Sequence, residues 1–218
     1  MSIPPRNVVY RYRDALYINL TNRCPTACAF CVKFASRMVY RGLDLGLQDA
    51  EPTIAEVLEA ATREWELGGY AEAVFCGYGE STLRFDALTA VCDGLRAARP
   101  GLRLRLNTVG LADLQRGKPA APELRGRLDA VYVSLNTSDP RQWLELLRPQ
   151  PPYREKGFQA VQDFIRSCVA SGFETTATAV ELPEVDLEAC RRLAESLGAR
   201  FLARPYLESG EMKSEGRA

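Results

Sequence analysis

Three cysteines stand within eight residues, in the stretch Cys24-Pro-Thr-Ala-Cys28-Ala-Phe-Cys31, directly after an apolar, strand-like run. Thiolates this close together, with no fourth partner nearby in the sequence, can hold three corners of a cubic iron–sulfur cluster and leave its fourth iron open to a ligand. A structural zinc site is the alternative, but such sites are closed by four ligands, usually in two separated pairs. Because the chain contains no histidine and its other four cysteines are scattered singly, the spacing favours the iron–sulfur cluster.

A second candidate motif, Gly77-Tyr78-Gly79-Glu80, follows another predicted strand. Glycines at the end of a strand let backbone groups approach a ligand closely, and a glutamate there can accept a hydrogen bond from an ammonium group. Taken alone this is a weak signal, because a glycine-rich turn with an acid is commonly just a turn. Its place after the cysteine motif indicates a ligand-binding turn.

Together the two motifs resemble the signatures of the radical S-adenosylmethionine (radical SAM) superfamily. The CxxxCxxC spacing, with the aromatic Phe30 before its last cysteine, resembles that superfamily's cysteine motif. Gly77-Tyr78-Gly79-Glu80 stands where the superfamily carries a glycine-glycine-glutamate motif, and the resemblance runs from about Tyr12 to Tyr206. The motif departs from the superfamily pattern at Tyr78, where glycine is commoner, and at Ser81, where proline is frequent.

A narrower resemblance is to a small subgroup named after its association with TatD-type nucleases. It rests on four stretches, which are Cys24–Lys33, Gly77–Arg84, Ser134–Asp139 and Leu182–Asp186. The subgroup's name carries no settled reaction, so this likeness does not identify a substrate.

By resemblance, Cys24, Cys28 and Cys31 each bind one iron of a [4Fe-4S] cluster, whose remaining iron chelates the amino and carboxylate groups of S-adenosylmethionine (SAM). An electron from a flavodoxin or ferredoxin cleaves SAM reductively, and the resulting 5′-deoxyadenosyl radical abstracts hydrogen from a substrate. The resemblance also implies a set of SAM-binding residues: Phe30, Gly77, Tyr78, Gly79, Glu80, Asn107, Ser134, Asn136 and Val180. For the three polar strand-end residues, capping of loop backbone is an equally good interpretation, and Phe30 could simply shield the cluster.

Apolar runs alternate with amphipathic helical patterns along the chain, which is typical of βα units on a parallel sheet. The predicted strands are Ala15–Leu20, Glu72–Cys76, Leu102–Asn107, Ala130–Asn136, Phe173–Val180 and Arg200–Tyr206. Helices are predicted from a capping box at Thr53, after Phe85, near Pro122–Arg127, and over Gln159–Ser171 and Asp186–Leu197. Six βα units predict the α/β class and a partial (β/α)6 TIM-like barrel, with a doubly wound open sheet as the alternative.

Several predicted strands have one apolar face and one polar face. The apolar set is Leu16, Ile18, Leu20, Leu102, Leu104, Leu106, Val131, Val133 and Leu135; the polar set is Tyr17, Asn19, Thr21, Arg103, Arg105, Asn107, Tyr132, Ser134, Asn136, Thr176, Thr178 and Arg204. Because charged side chains are costly to bury without partners, the polar set predicts a ligand chamber rather than a packed core or a solvated sheet edge. The candidate substrate residues are Lys33, Arg105, Arg204 and Tyr17. A structural ion pair for the three cations, and ordinary packing for Tyr17, are the alternatives.

Length and composition predict one domain over residues 1–208 and a flexible polar tail at 209–218. The chain has 28 basic and 28 acidic residues, a balance that argues against general affinity for nucleic acids or membrane surfaces. It shows no signal peptide or membrane-spanning run, and seven cysteines do not make a secreted disulfide framework. We therefore expect a cytoplasmic, oxygen-sensitive protein. Three isolated cysteines on apolar helix faces are expected in the core: Cys92, Cys168 and Cys190.

The expected substrate is a small molecule, such as a nucleobase or nucleotide. The alternatives are a radical activase or modifier of a protein or peptide partner, and a non-catalytic iron–sulfur or zinc protein. The connection at 32–52 is long for a compact domain, which suggests a function. It is expected to wrap the cluster and to contribute to the substrate mouth with Lys33, Arg37, Tyr40 and Arg41.

Overall fold

The computed structural model describes residues 7–40, 42–47 and 50–206. Arg41 and the predicted tail at 209–218 lie outside these described residues. The strands are β1 (Val9–Tyr12), β2 (Ala15–Ile18), β3 (Val39–Tyr40), β4 (Leu43–Asp44), β5 (Glu72–Phe75), β6 (Arg103–Thr108), β7 (Ala130–Ser134), β8 (Glu174–Val180) and β9 (Arg200–Arg204). The helices are α1 (Val32–Ala35), α2 (Ile54–Leu67), α3 (Phe85–Ala98), α4 (Ala112–Arg116), α5 (Ala121–Leu124), α6 (Pro140–Leu147), α7 (Gly157–Ala170) and α8 (Leu187–Ser196).

The chain divides into two compact units. Unit 1 contains the residues up to Arg23 together with Cys31–Leu102, and unit 2 contains Cys24–Phe30 together with Arg103–Tyr206. The expectation of a single domain over 1–208 stays a prediction.

In unit 1 the sheet is built around β2. This strand pairs in parallel with β5 on one side and antiparallel with β1 on the other. Helix α2 begins with the predicted capping box: the Glu56 amide donates to the Thr53 hydroxyl at 3.2 Å, and the Thr53 amide donates to the Glu56 carboxylate at 2.7 Å. Its buried face carries Val57, Ala61 and Trp65, so apolar burial adds to the capped first turn in stabilising the helix.

In unit 2 four parallel strands lie in the order β6, β7, β8 and β9. Their register places Asn107 beside Tyr132, Tyr132 beside Thr176, and Val180 beside Arg204. Helices α7 and α8 are each followed by a glycine in the left-handed region, Gly172 and Gly198, with φ of 85° and 81°. A residue with a side chain is strained there, so glycine at these positions allows each helix to end.

The predicted burial of the apolar set is confirmed. All nine residues of the apolar set are buried, whereas the polar set carries side chains that are buried or half-buried on the opposite face of their strands. The predicted core cysteines, Cys92, Cys168 and Cys190, are fully buried, and burial raises the pKa of the Cys168 and Cys190 thiols.

Six elements were not predicted, namely β1, β3, β4, α1, α4 and α6. All are short, so each shows too few periods of hydrophobic alternation to stand out. For α6 a local signal does exist, because the Asp139 carboxylate accepts from the amides of Arg141 and Gln142, and Pro140 occupies the first turn. Within the long connection at 32–52, the described residues form α1 and the β3–β4 hairpin.

Among the described residues, every helix is too short or too polar to cross a lipid bilayer.

Candidate cysteine centre and cofactor-binding site

The first two cysteines of the motif share a hydroxyl neighbour. Thr26 is buried, and its Oγ1 lies 3.3 Å from Sγ of Cys24 and 3.4 Å from Sγ of Cys28. Both cysteines are half-buried and neither forms a disulfide. A hydroxyl at this distance can donate to one thiolate at a time, so Thr26 can stabilise sulfur in its ionised, metal-binding form. Thr26 was not identified from the sequence. A hydroxyl residue midway between two neighbouring cysteines could have indicated a contact with their sulfur atoms.

The loop that carries these two cysteines is held by the chain that follows α6. The Ala29 amide donates to the Leu146 carbonyl at 2.8 Å, and Thr26 forms an antiparallel bridge with Pro149. The Gln150 side chain donates to the Cys24 carbonyl at 3.0 Å. These contacts join residues more than a hundred positions apart, so no local sequence pattern could have indicated them.

The third cysteine belongs to unit 1, where it directly precedes α1. The Phe34 amide donates to the Cys31 carbonyl at 3.2 Å, and the Lys33 ammonium donates to the Asn22 carbonyl at 2.9 Å. Lys33, one of the predicted substrate residues, therefore bonds the backbone of Asn22, which precedes the cysteine stretch, whereas Lys33 itself follows it. Its role toward an anionic ligand stays a prediction.

The two glycines of the second motif lie against the end of β2 and the residues after it. A Cβ atom on Gly79 would stand 2.1 Å from the Thr21 carbonyl oxygen, and one on Gly77 would stand 2.2 Å from Oδ1 of Asn19. A side chain at Gly79 would therefore require a shift of the backbone, and one at Gly77 would require the Asn19 side chain or the backbone to move. The close approach that requires glycine here is thus made by the chain itself, at the strand end that leads into the cysteines.

The other two residues of this motif are buried. Glu80 is 2% exposed, and its carboxylate accepts from the amide and the hydroxyl of Thr82, at 3.2 and 2.8 Å. The side chain of Tyr78 is 7% exposed and packs with Tyr10 and Leu45, and burial raises its pKa above the ordinary value. The Tyr78 ring is therefore occupied by packing, which leaves its backbone for the predicted SAM contact.

Tyr17 lies among other tyrosines. Its ring centroid is 5.5 Å from that of Tyr10 and 5.3 Å from that of Tyr12, the latter in an edge-to-face arrangement. These are favourable aromatic geometries, and they agree with the packing alternative for Tyr17.

The strands of unit 2 carry most of the polar set defined above, and we call the face that bears it the inner face. On this face, the two predicted substrate arginines contact predicted cofactor residues. The Arg105 guanidinium donates to Oδ1 of Asn107 at 2.7 Å and lies 4.4 Å from the centroid of the Tyr132 ring. Arg204 reaches the Ser134 hydroxyl at 3.5 Å. Val180, beside Arg204 in the register, and Phe30 in the cysteine loop are half-buried. This face therefore gathers cationic and neutral hydrogen-bonding groups, as the sequence predicted.

Asn136 is the most unusual residue of this face. Its φ of 63° lies in the left-handed region. Its backbone N–H donates to the Thr178 carbonyl at 3.0 Å, and its side-chain Nδ2 donates to the Ser134 carbonyl at 3.3 Å. The residue is 2% exposed, yet its Oδ1 has no hydrogen-bond partner. A buried, unsatisfied acceptor in a strained backbone conformation is the kind of atom that a ligand hydroxyl or amine satisfies.

These features fit the predicted cofactors. The donor set is three thiols, two of them beside a hydroxyl, and the Asn136 oxygen suits a hydroxyl-bearing ligand. Within the described ranges, no three cysteine or carboxylate side chains already stand together as a metal site. The assignment of Cys24, Cys28 and Cys31 as cluster ligands therefore remains a prediction.

The fold and motifs define an α/β protein with a cysteine-rich loop after its first parallel strand and a glycine-rich turn after the second. The chain belongs to the radical SAM superfamily of enzymes, because residues 18–197 match the family model described as the Radical SAM superfamily. That superfamily uses a [4Fe-4S] cluster and SAM. The narrower likeness to the TatD-associated subgroup is not confirmed by this match.

Among curated proteins, the chain is similar to the GTP 3′,8-cyclase of Pseudomonas savastanoi pv. phaseolicola, with 27% identity over 135 residues. The alignment covers 62% of this chain and 37% of the cyclase, so the chain matches little more than a third of that relative's length.

Two solved structures show the fold. SuiB of Streptococcus suis bound to its precursor peptide SuiA has a TM-score of 0.65 and 17% identity, over 96% of this chain and 43% of SuiB. The methyltransferase TsrM from Kitasatospora setae, with cobalamin and a [4Fe-4S] cluster bound, has a TM-score of 0.55 and 18% identity, over 86% of this chain and 36% of TsrM. The predicted α/β, partial TIM-like barrel fold is confirmed.

Proposed function

We propose that this chain cleaves SAM reductively and uses the resulting radical on a small anionic substrate. The observation that carries the proposal is the CxxxCxxC loop after β2, in a chain whose residues 18–197 match the radical SAM superfamily. In this proposal Cys24, Cys28 and Cys31 hold a [4Fe-4S] cluster. The bound cluster and SAM supply the chemistry of one-electron cleavage to a 5′-deoxyadenosyl radical.

The residues of the chain orient the cofactor and limit side reactions. Gly77–Glu80 contact Thr21 and Arg23, which directly precede Cys24 in the chain, and offer backbone and a buried carboxylate to the amino group of SAM. The Oδ1 of Asn136 accepts from a ribose hydroxyl, with Ser134 and Asn107 on the neighbouring positions of the same face. Because Glu80 and Asn136 are each buried, a ligand group bound to either of them would be shielded from water.

The anionic substrate is inferred from the arginines of unit 2. Arg105 and Arg204 carry planar guanidinium groups on the inner face, and guanidinium groups suit phosphate and carboxylate through paired hydrogen bonds. The named substrate of the similar GTP 3′,8-cyclase is a nucleotide, which supports a phosphate-bearing ligand. If the substrate test described below shows that a peptide is the substrate, the proposal of an anionic small molecule would be replaced.

The proposed electron donor is an acidic one-electron carrier of the flavodoxin or ferredoxin type. Phe34 follows Cys31 within the first turn of α1, is 59% exposed and lies 5.2 Å from the Lys33 ammonium; Arg37 nearby is also exposed. An exposed ring beside an ammonium group, with an exposed arginine three residues further along the chain, suits docking to an acidic surface. Phe34→Ala with Arg37→Glu should slow reduction by flavodoxin and leave reduction by dithionite unchanged. Equal slowing by both reductants would contradict this docking face. A cytoplasmic location stays a prediction consistent with this partner.

The decisive experiment is anaerobic reconstitution with iron and sulfide. The protein should bind about four irons per chain, and with dithionite and SAM it should release 5′-deoxyadenosine, measured by chromatography and mass spectrometry. Cys28→Ala should abolish 5′-deoxyadenosine release, whereas Cys190→Ala, which removes a buried thiol from α8, should keep it. A zinc-bound protein without iron, or full activity of Cys28→Ala, would refute the proposal.

The substrate class is tested with the same assay. Nucleotides and a panel of peptides are added separately, and the release of 5′-deoxyadenosine above the level with SAM alone is measured. We expect stimulation by a phosphate-bearing small molecule. Stimulation by peptides alone would favour the peptide modifier.

A further inference from the structure

The segment after Cys31 is short and has little regular structure of its own. It consists of α1, the C-cap Ser36 and the β3–β4 hairpin. The Ser36 amide donates to the Val32 carbonyl at 2.8 Å, and the Leu45 amide donates to the Met38 carbonyl at 2.8 Å. A four-residue helix and a two-residue hairpin are not stable alone. Some other part of unit 1 must therefore fix this segment, and with it Cys31.

Lys33 bonds the Asn22 carbonyl, and Asn19 and Asn22 bond the Leu45 carbonyl. The side chain of Tyr78 adds a connection that joins the two elements of the segment. Its hydroxyl lies 2.9 Å from Oγ of Ser36 and donates to the Val39 carbonyl at 3.2 Å. The first contact is at the end of α1 and the second is in β3. Its ring packs in a cluster with Tyr10 and Leu45, against which the half-buried Val32, Met38, Tyr40 and Leu43 also lie.

The neighbours of Tyr78 hold the chain on the other side of the cysteine stretch. Gly79 lies against the carbonyl groups of Thr21 and Arg23, and the Glu80 amide donates to the Arg23 carbonyl at 2.8 Å. One tetrapeptide thus contacts the residues that precede Cys24 and those that follow Cys31.

We propose that Tyr78 is a positioning residue, which fixes Cys31 for metal binding by bonding α1 to β3 and to the glycine motif. The proposal rests on the proposed function in one respect, that Cys31 is a cluster ligand. It assigns a purpose to the tyrosine at a position where the superfamily more commonly has glycine. A glycine there would keep the backbone of the motif but would remove both hydroxyl contacts and the buried ring.

The first test uses the protein without iron and measures amide hydrogen exchange in peptides that contain Met38, Val39 and Leu45. Tyr78→Phe keeps the ring and deletes the hydroxyl, so these amides should exchange roughly five- to tenfold faster. The matched control is Tyr70→Phe, which deletes a hydroxyl that donates to Glu64 at 3.2 Å elsewhere in unit 1. The control should leave exchange in these peptides unchanged.

The second test measures the reconstituted protein. Iron release to a chelator should be several-fold faster for Tyr78→Phe than for Tyr70→Phe, at equal starting iron content. Tyr78→Gly should show a larger increase in the rate of iron release, although it introduces the residue that is commoner in the superfamily. Circular dichroism and thermal unfolding report whether each variant is folded. If Tyr78→Gly is unfolded, the result for Tyr78→Phe alone decides the test.

The two proposals fail in distinguishable ways. Unchanged exchange in Tyr78→Phe would overturn the positioning role, whatever the protein binds. Faster exchange without faster iron release would also overturn it, because the segment would then not govern the metal. Absence of iron from the unsubstituted protein would instead refute the proposed function.

Discussion

The polar side chains of the two units differ in what they hold. Near the ends of the cysteine stretch in unit 1, several donate to main-chain carbonyl groups: Lys33 to Asn22, Asn19 to Leu45, Tyr78 to Val39, and Arg84 to Leu20 and Pro52. Glu51 also forms ion pairs there with Arg23 and Arg84. On the inner face of unit 2 they mainly contact other side chains: Arg105 with Asn107 and Tyr132, and Arg204 with Ser134.

This difference indicates a division of labour. Bonds to main-chain carbonyls fix the path of a loop, and their loss exposes buried backbone groups. Contacts between side chains can exchange for contacts to a ligand at smaller cost. We therefore expect substitutions in unit 1 to act on stability and cluster retention, and substitutions in unit 2 to act on ligand affinity.

The largest effect is expected for Gly79→Ala in unit 1. The new Cβ would stand 2.1 Å from the Thr21 carbonyl oxygen, so the backbone must shift, at a cost of about 3 kcal/mol or more in the free energy of unfolding. Urea denaturation of the iron-free protein measures it. Gly69→Ala is the control, because nothing lies within 4 Å of the added atom. A stability of Gly79→Ala equal to that of the control would break the comparison.

A smaller effect, on binding alone, is expected for Arg105→Gln in unit 2. Loss of the guanidinium should weaken a phosphate-bearing ligand by roughly ten- to a hundredfold, measured by calorimetric titration with nucleotides on the folded variant. Arg103→Gln is the matched control on the same strand and face, because Arg103 pairs with Glu174 at 2.7 Å. Equal losses for both variants would show that general charge, not this position, governs affinity.

For Asn136→Gly we expect SAM binding to weaken while the stability of the fold changes little. Glycine adopts the left-handed backbone readily, so unfolding should change by less than about 1 kcal/mol, while the affinity for SAM falls roughly tenfold because Oδ1 is lost. Arg148→Gly, at another left-handed position with φ of 44°, should leave SAM binding unchanged. Unaltered SAM affinity in Asn136→Gly would remove this residue from the proposed site.

The smallest effect is expected for Thr26→Val, which removes the hydroxyl beside Cys24 and Cys28 and keeps the shape. Iron content should be retained, and the cluster should be harder to reduce, by tens of millivolts at most, because hydrogen bonds to ligating sulfur stabilise the reduced form. A potentiometric titration followed by electron paramagnetic resonance measures the shift. A change to an easier reduction would contradict the assigned contact.

Much of the molecule was predictable from local pattern. The strands β2 and β5 to β9 were predicted because short apolar runs alternate with amphipathic helical patterns, and the capping box at Thr53 was predicted from two residue types three positions apart. The polar inner face followed from strict alternation along the strands. The candidate motifs followed from cysteine spacing and from a glycine-rich turn at a strand end.

The sequence by itself determined which residues can do chemistry, because spacing and residue type limit what thiols, glycines and guanidinium groups can hold. Only the tertiary structure decided what they contact. Gly79 packs on Thr21, Tyr78 bonds the segment after Cys31, and Gln150 holds the Cys24 carbonyl. The physical reason is that these partners are far apart in the chain, and side-chain identity alone does not encode which distant backbone groups a fold brings within hydrogen-bonding distance.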